Sequence, residues 1–160
     1  MSSLVETCKQ SAKSNVERFI LIFSFVPDDK LNWTPTPTAK SALRVAAHTA
    51  LYLGIFAKMM RDRKLPGSEN LDGWLNERNA AEMAVTRRED IETIFRSGLE
   101  EVYAALDGLT QEEIESELDS GLGWSMPMTF LMKLPGWHTT LHIGQLDYLQ
   151  TCWDDQVVHF

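Results

Sequence analysis

Residues 134–153 read LPGWHTTLHIGQLDYLQTCW and hold two of the chain's four histidines, His138 and His142. Read as a helix, this stretch places the two imidazoles one turn apart on one face. At about 100° per residue, Leu134, Leu141, Gln145, Leu149 and Trp153 fall on the broad side of the histidines. Thr140, Ile143, Asp147 and Gln150 fall on the other. The pair is therefore expected among apolar side chains. Two imidazoles four residues apart can reach one transition metal, but two ligands make a weak site, so a third must come from elsewhere.

The stretch 41–61 supplies a candidate. Ser41, Val45, His48, Tyr52, Ile55 and Met59 follow a 3,4 spacing, which predicts an amphipathic helix with His48 in the middle of its inward seam. Ser41 or Thr38 can cap it. A histidine there is either a hydrogen-bonded core imidazole or a ligand, and its spacing alone leaves both open.

Two further long helices complete the pattern. Residues 3–26 carry Val5, Cys8, Ala12, Asn15, Phe19, Ile22 and Val26 on one stripe. Asn15 interrupts it, as a register-setting polar residue or as a pocket-lining group. Residues 86–107 open on Thr86-Arg-Arg-Glu89, a capping-box pattern, and place Ile91, Ile94, Phe95, Gly98, Val102 and Ala105 inward. Residues 68–84 are expected to form a short helix bearing Trp74 and Met83, after the turn Leu65-Pro66-Gly67-Ser68. A second capping box, Thr110 to Glu113, opens a short acidic helix to about Leu118. Gly121, Gly123 and Pro127 break the chain before the last long helix, which starts near Thr129. Pro135 lies inside that helix and predicts a kink or break before the histidine turn. The linker 30–40 contains two X-Pro pairs and is extended, with Trp33 as a lid on one end. His159, in the short tail after Trp153, reads as a surface residue.

Composition narrows the class. The 160 residues suffice for one domain, 1–160, with a sizeable core. A net charge of −8 argues against nucleic acid or an anionic membrane surface as partner, because either needs clustered Lys and Arg. The longest apolar run, 19–26, is too short to span a bilayer. No basic stretch with an apolar run opens the sequence as a secretory signal would. Cys8 and Cys152, the only two cysteines, form no CxxC and fit free thiols in a cytoplasmic protein.

Four long amphipathic helices, without strand-like alternation or internal repeat, predict an all-α four-helix bundle with one or two short extra helices. At this level the chain resembles a known family. The block WTPTPTAKSALRVAAH, a helix, and GWHTTLHIGQLDYLQ near the end look like the DinB-like (YfiT-like) metal-binding superfamily, over nearly the whole length. The resemblance implies an up-down-down-up bundle and a homodimer; a bundle often buries extra apolar residues, such as Trp74, Trp124 or Met126, at a two-fold interface. In an up-down-down-up bundle the first and last helices run parallel, which puts Cys8 and Cys152 at opposite poles.

The resemblance also implies a three-histidine metal site, carried here by His48, His138 and His142, with Gly144 and Gln145 completing the HxxxHxGQ pattern. Such a donor set takes Zn, Ni, Fe or Mn and leaves open positions. Gln145 and Tyr52, each a turn from a histidine, line the pocket or merely pack. Some members of the family move a low-molecular-weight thiol onto an electrophile, so a metal-dependent thiol S-transferase or isomerase is the expected activity. The alternative is a non-catalytic stress or interaction protein with a structural metal.

Overall fold

The computed structural model describes residues 3–159. Four long helices, α1 (Ser3–Ser24), α2 (Ala42–Asp62), α4 (Arg88–Asp107) and α7 (Leu134–Cys152), carry most of the core. Between them come α3 (Leu71–Ala84), two single-turn helices, α5 (Gln111–Ile114) and α6 (Met128–Leu131), and a 3-10 turn at Asp28–Lys30.

α1 and α4 bury the stripes their spacing predicts. On α1 this is Val5, Cys8, Ala12, Val16, Phe19, Ile22 and Phe23, and on α4 it is Ile91, Phe95, Gly98, Val102, Ala105 and Leu106. Ser41 caps α2, its hydroxyl accepting from the Arg44 amide at 3.3 Å. α2 is buried on two sides, because it packs against both α4 and α7.

Neighbouring contacts fix the directions. Ser11 meets Gly136 and Asn15 meets Thr140, so α1 and α7 run parallel. Ala50 and Leu53 meet Gly98 and Gly54 meets Glu101, so α2 and α4 also run parallel. Phe19 lies on Phe95 and Lys9 pairs with Asp107, which makes α1 and α4 antiparallel. His48 faces His142 and Phe56 faces His138, which makes α2 and α7 antiparallel. This is the expected up-down-down-up bundle. Cys8 and Cys152 are free and sit toward opposite ends of the parallel pair α1 and α7.

Parallel neighbours cannot be joined by a tight turn. After α2 the chain must travel back along the bundle, a helix length of about 30 Å. α3 makes much of that return journey lying on α2, and this path brings one of its side chains onto the histidines.

Several local expectations are corrected. α3 begins at Leu71 rather than Ser68, because the Asn70 side chain caps it by accepting from the Gly73 amide at 3.0 Å. The Thr86–Glu89 capping box does not form. Arg87 occupies the cap position, its guanidinium turned to Asp90, and Arg88 reaches back to the Phe23 and Val26 carbonyls at the end of α1. The Thr110–Glu113 box does form, but its helix ends at Ile114, not Leu118. Glu117–Asp119 instead pairs antiparallel with Ser125–Pro127, a strand pair that no alternation announced. Gly121 and Gly123, at φ of 70° and 86°, make its connection possible in a region that disfavours side chains.

The tail is corrected as well. His159 is half-buried and stacks on Phe25, with ring centroids 4.1 Å apart, and the Gln150 side-chain amide donates to the Val157 carbonyl. Trp33 meets Trp153 edge-on at 6.0 Å, as a lid would. Trp74 is half-buried, Met126 packs against the core and Trp124 is exposed. Asn15 ties the parallel pair together, donating to the Ser11 carbonyl and accepting from the Thr140 hydroxyl at 2.9 Å. It also lines a cavity of about 440 Å³ between α1 and α7, away from the histidines. Among the described residues, no helix is long and apolar enough to cross a membrane.

Candidate metal centre

The break predicted at Pro135 is present: α6 ends at Leu131 and α7 restarts at Leu134, with Pro135 in its first turn. There the missing N–H has no helical partner to lose. The restart sets the rotation of α7, and that rotation differs from the projected one. Its inward line is Gly136, Thr139, Ile143, Leu146 and Gln150, while Leu141 and Gln145 are exposed. Ile143 and Gln150 therefore face the core they were expected to avoid, because α7 is oriented by its long contact with α1. The two histidines sit on the flank of that line, turned to α2 and half-buried.

On α2, His48 faces them. One ligand nitrogen from each of His48, His138 and His142 lies within 4.8 Å of the others. Ring centroids are 4.3 Å apart for His138–His142, 4.8 Å for His48–His142 and 5.2 Å for His48–His138. Tyr52 stacks on His138 at 5.1 Å, and Phe56 meets the same ring edge-on at 5.2 Å. No other His, Cys, Asp or Glu among the described residues joins the cluster.

Hydrogen bonds select the tautomers. His48 Nδ1 lies 2.6 Å from Glu82 Oε1. A carboxylate only accepts, so Nδ1 carries the proton and Nε2 keeps its lone pair. His142 Nδ1 lies 2.6 Å from Gln145 Oε1 and is fixed the same way. A carboxylate or amide oxygen behind the ring is the usual support of a metal-bound imidazole.

Glu82 was not anticipated. It is 4% exposed, held by Lys40, by Arg44 at 3.2 Å and by His48. Burial alone would raise its pKa; hydrogen bonds from Lys40 and His48 outweigh that and hold it below the usual carboxylate range. A signal did exist. Trp74, Arg78 and Glu82 are spaced by four, so two charged residues continue the inward stripe of α3.

Burial lowers the pKa of all three histidines. For His138 the fall is to about 3, through burial and then the neighbouring His142 and His48. At neutral pH the cluster is thus three uncharged imidazoles, the form that binds metals. His138 Nδ1 is buried without a hydrogen-bond partner, and its Nε2 lies 3.0 Å from His142 Nε2. Two nitrogens bound to one metal at about 2.0–2.1 Å lie about 3.0–3.4 Å apart, so this spacing fits a shared ion. The donor set therefore suits a divalent transition metal.

An apolar cavity of about 480 Å³ is lined by Val45, Leu141, Gly144 and Tyr148, with Lys40 and Gln145 on its wall; the histidines do not line it and meet it only through those two side chains. A side chain at Gly144 would meet nothing within 4 Å, so the glycine leaves that space free.

Comparison with known proteins places this arrangement. The crystal structure of a DinB-like protein, YjoA, from Bacillus subtilis superposes with a TM-score of 0.66, covering 96% of each chain at 17% identity. That likeness concerns the fold. No curated protein matches the chain. The family model described as the DinB superfamily matches residues 14–146, a span that takes in all three histidines. With most of its length matched to that model, the chain belongs to the DinB superfamily.

Proposed function

We propose that the chain binds one divalent transition metal through His48, His138 and His142, and uses it to transfer a low-molecular-weight thiol to an electrophile. The observation that carries the metal reading is the convergence of three neutral imidazoles, two of them held in one tautomer by Glu82 and Gln145. Such an ion, when bound, lowers the pKa of a thiol or water toward neutrality.

The residues around it perform the remaining tasks. Glu82 and Gln145 orient the rings, so both are positioning residues. Tyr52 and Phe56 cover His138 and keep water from its buried side. The cavity over Gly144 offers an apolar substrate body a place beside the centre. Three protein ligands favour an open catalytic site over a closed structural one. A structural metal would call for a fourth ligand, and none joins the cluster among the described residues.

The test has two parts. Elemental analysis of purified protein should find about one transition metal per chain, and His142→Ala should lose it. The metal-loaded protein should then speed conjugation of a small thiol to a bromobimane, and the chelated protein should not. A loaded protein that binds metal but leaves the conjugation rate at background would leave metal binding standing and defeat the transferase reading.

A further inference from the structure

The outer face of α7 carries almost no charge. From Leu134 to Cys152 the helix contains one charged residue, Asp147, in a chain where 24% of residues are charged. α4, of similar length, contains eight. The exposed side chains of α7 are instead apolar and aligned. Trp137, Leu141, Gly144 and Tyr148 recur at spacings of four, three and four, so they share an arc of about 60° on the helix. Trp137, Leu141 and Tyr148 are 54%, 50% and 66% exposed, and Phe130 packs on Trp137 with ring centroids 6.1 Å apart. Exposed apolar residues scattered singly are ordinary. A row of them with aromatic ends and no charge has the composition of an interface core.

The row also fits itself. Laid antiparallel on a second copy, it sets Trp137 against the partner's Tyr148 and Leu141 against the partner's Gly144 in one register, because both pairs share a midpoint between residues 142 and 143. The 4,3,4 spacing is that of the seam positions of a two-stranded coiled coil. Each contact occurs twice, as a two-fold axis requires. A large side chain meets a small one at the centre: a Cβ on Gly144 would meet nothing within 4 Å, so the notch there is open to a leucine. The ends agree in charge. Lys133, just before α7, and Asp154, just after it, are exposed and make no ion pair among the described residues. The same register brings Lys133 toward the partner's Asp154.

The area is sufficient. An aromatic side chain offers about 150–250 Å² when fully exposed, so Phe130, Trp137 and Tyr148 together present roughly 300 Å² per copy. Leu141 and the flanks of a helix-on-helix contact raise this toward the about 500 Å² a side that a specific interface needs. A lipid surface suits the row less well, since an interfacial helix carries Lys and Arg on its polar face and α7 has neither.

We propose that two copies of this chain associate through α7, antiparallel about a two-fold axis level with residues 142–143. This sets the interface on α7 and not at Trp74, Trp124 or Met126. It also makes the partner's Leu141 a wall of the cavity that Gly144 lines. The contact requires neither metal nor thiol.

Light scattering and sedimentation of the full chain at tens of micromolar should give twice 18.2 kDa. Leu141→Glu should raise the dimer Kd at least about thirtyfold, as loss of a central contact does. Its circular dichroism should not change, because that side chain is half-exposed in a single copy. Tyr148→Glu should act alike, and serves if Leu141→Glu does not fold. Trp124→Glu should leave the mass at the dimer value. Lys133→Glu should weaken the dimer about two- to fivefold, and adding Asp154→Lys should restore it. A monomeric unaltered chain overturns the proposal. So does a dimer that survives both Leu141→Glu and Tyr148→Glu, or one that Trp124→Glu splits. A Lys133→Glu defect that Asp154→Lys leaves in place overturns the antiparallel register.

Discussion

α2 has two working faces, and they are built to opposite rules. Against α4 it presents Ala46, Ala50, Leu53, Ala57 and Met60, each at most 1% exposed. Gly98 lets the helices close: a Cβ there would sit 2.8 Å from Leu53 Cβ and 3.3 Å from the Ala50 carbonyl. Against α7 the same helix presents His48, Tyr52 and Phe56, rings in contact with other rings, with His48 also held by Glu82. Leu53 and Tyr52 are neighbours in sequence and belong to different faces. The first seam is held by dispersion and desolvation, which tolerate no gap. The second holds polar atoms out of water while keeping lone pairs available.

The largest effect should come from the first seam. Leu53→Ala should lower stability by about 2–5 kcal/mol, because a fully buried side chain leaves a cavity. Denaturant titration should show the lowered midpoint, and metal content of the folded fraction should stay at the unaltered value. Loss of metal at equal folding would mean that the two faces are not separable.

His142→Ala tests the opposite face. It should abolish metal binding, yet circular dichroism and thermal melting should remain close to those of the chelated unaltered protein. Zinc-dependent small domains draw on the order of 10 kcal/mol from their ion, which this bundle does not need. Unfolding at room temperature in both samples would overturn the open-site reading.

Glu82→Gln should act between these extremes. The His48 ring loses its carboxylate support, and metal affinity should fall about 10–100-fold by competition with a chelator. Unchanged affinity would reduce Glu82 to a partner of Lys40 and Arg44.

The chelated protein should also show a pH dependence. The three histidines have folded pKa values below the unfolded value of about 6.5. The unfolded chain therefore binds protons that the folded chain refuses, so their stabilisation is full above about pH 6.5 and is lost as pH falls toward 3. Thermal midpoints should decline over that window, and His138→Phe should flatten the decline. An identical slope in that variant would remove His138 as a contributor.

Much of this was legible beforehand where neighbours in sequence decide the outcome. The 3,4 stripes of α1, α2 and α4, the cap at Ser41, the break at Pro135 and the presence of His48, His138 and His142 on helices all follow from local spacing. The sequence fails where two local rules compete. At Thr86 the capping box gave way because Arg87 and Arg88 found better partners in Asp90 and the end of α1. At Glu117 helix propagation gave way to pairing with Ser125–Pro127.

The chain by itself therefore determined a helical bundle and the placing of His48, His138 and His142 on its helices. Tertiary structure alone decided how α7 is turned, since a projection of one helix cannot know which neighbour claims it, and Ile143 rather than Leu141 went inward against α1. It also decided that Glu82 stands behind His48. That contact follows from the path α3 takes between parallel α2 and α4, and residues 34 positions apart meet only once the bundle's topology requires that return.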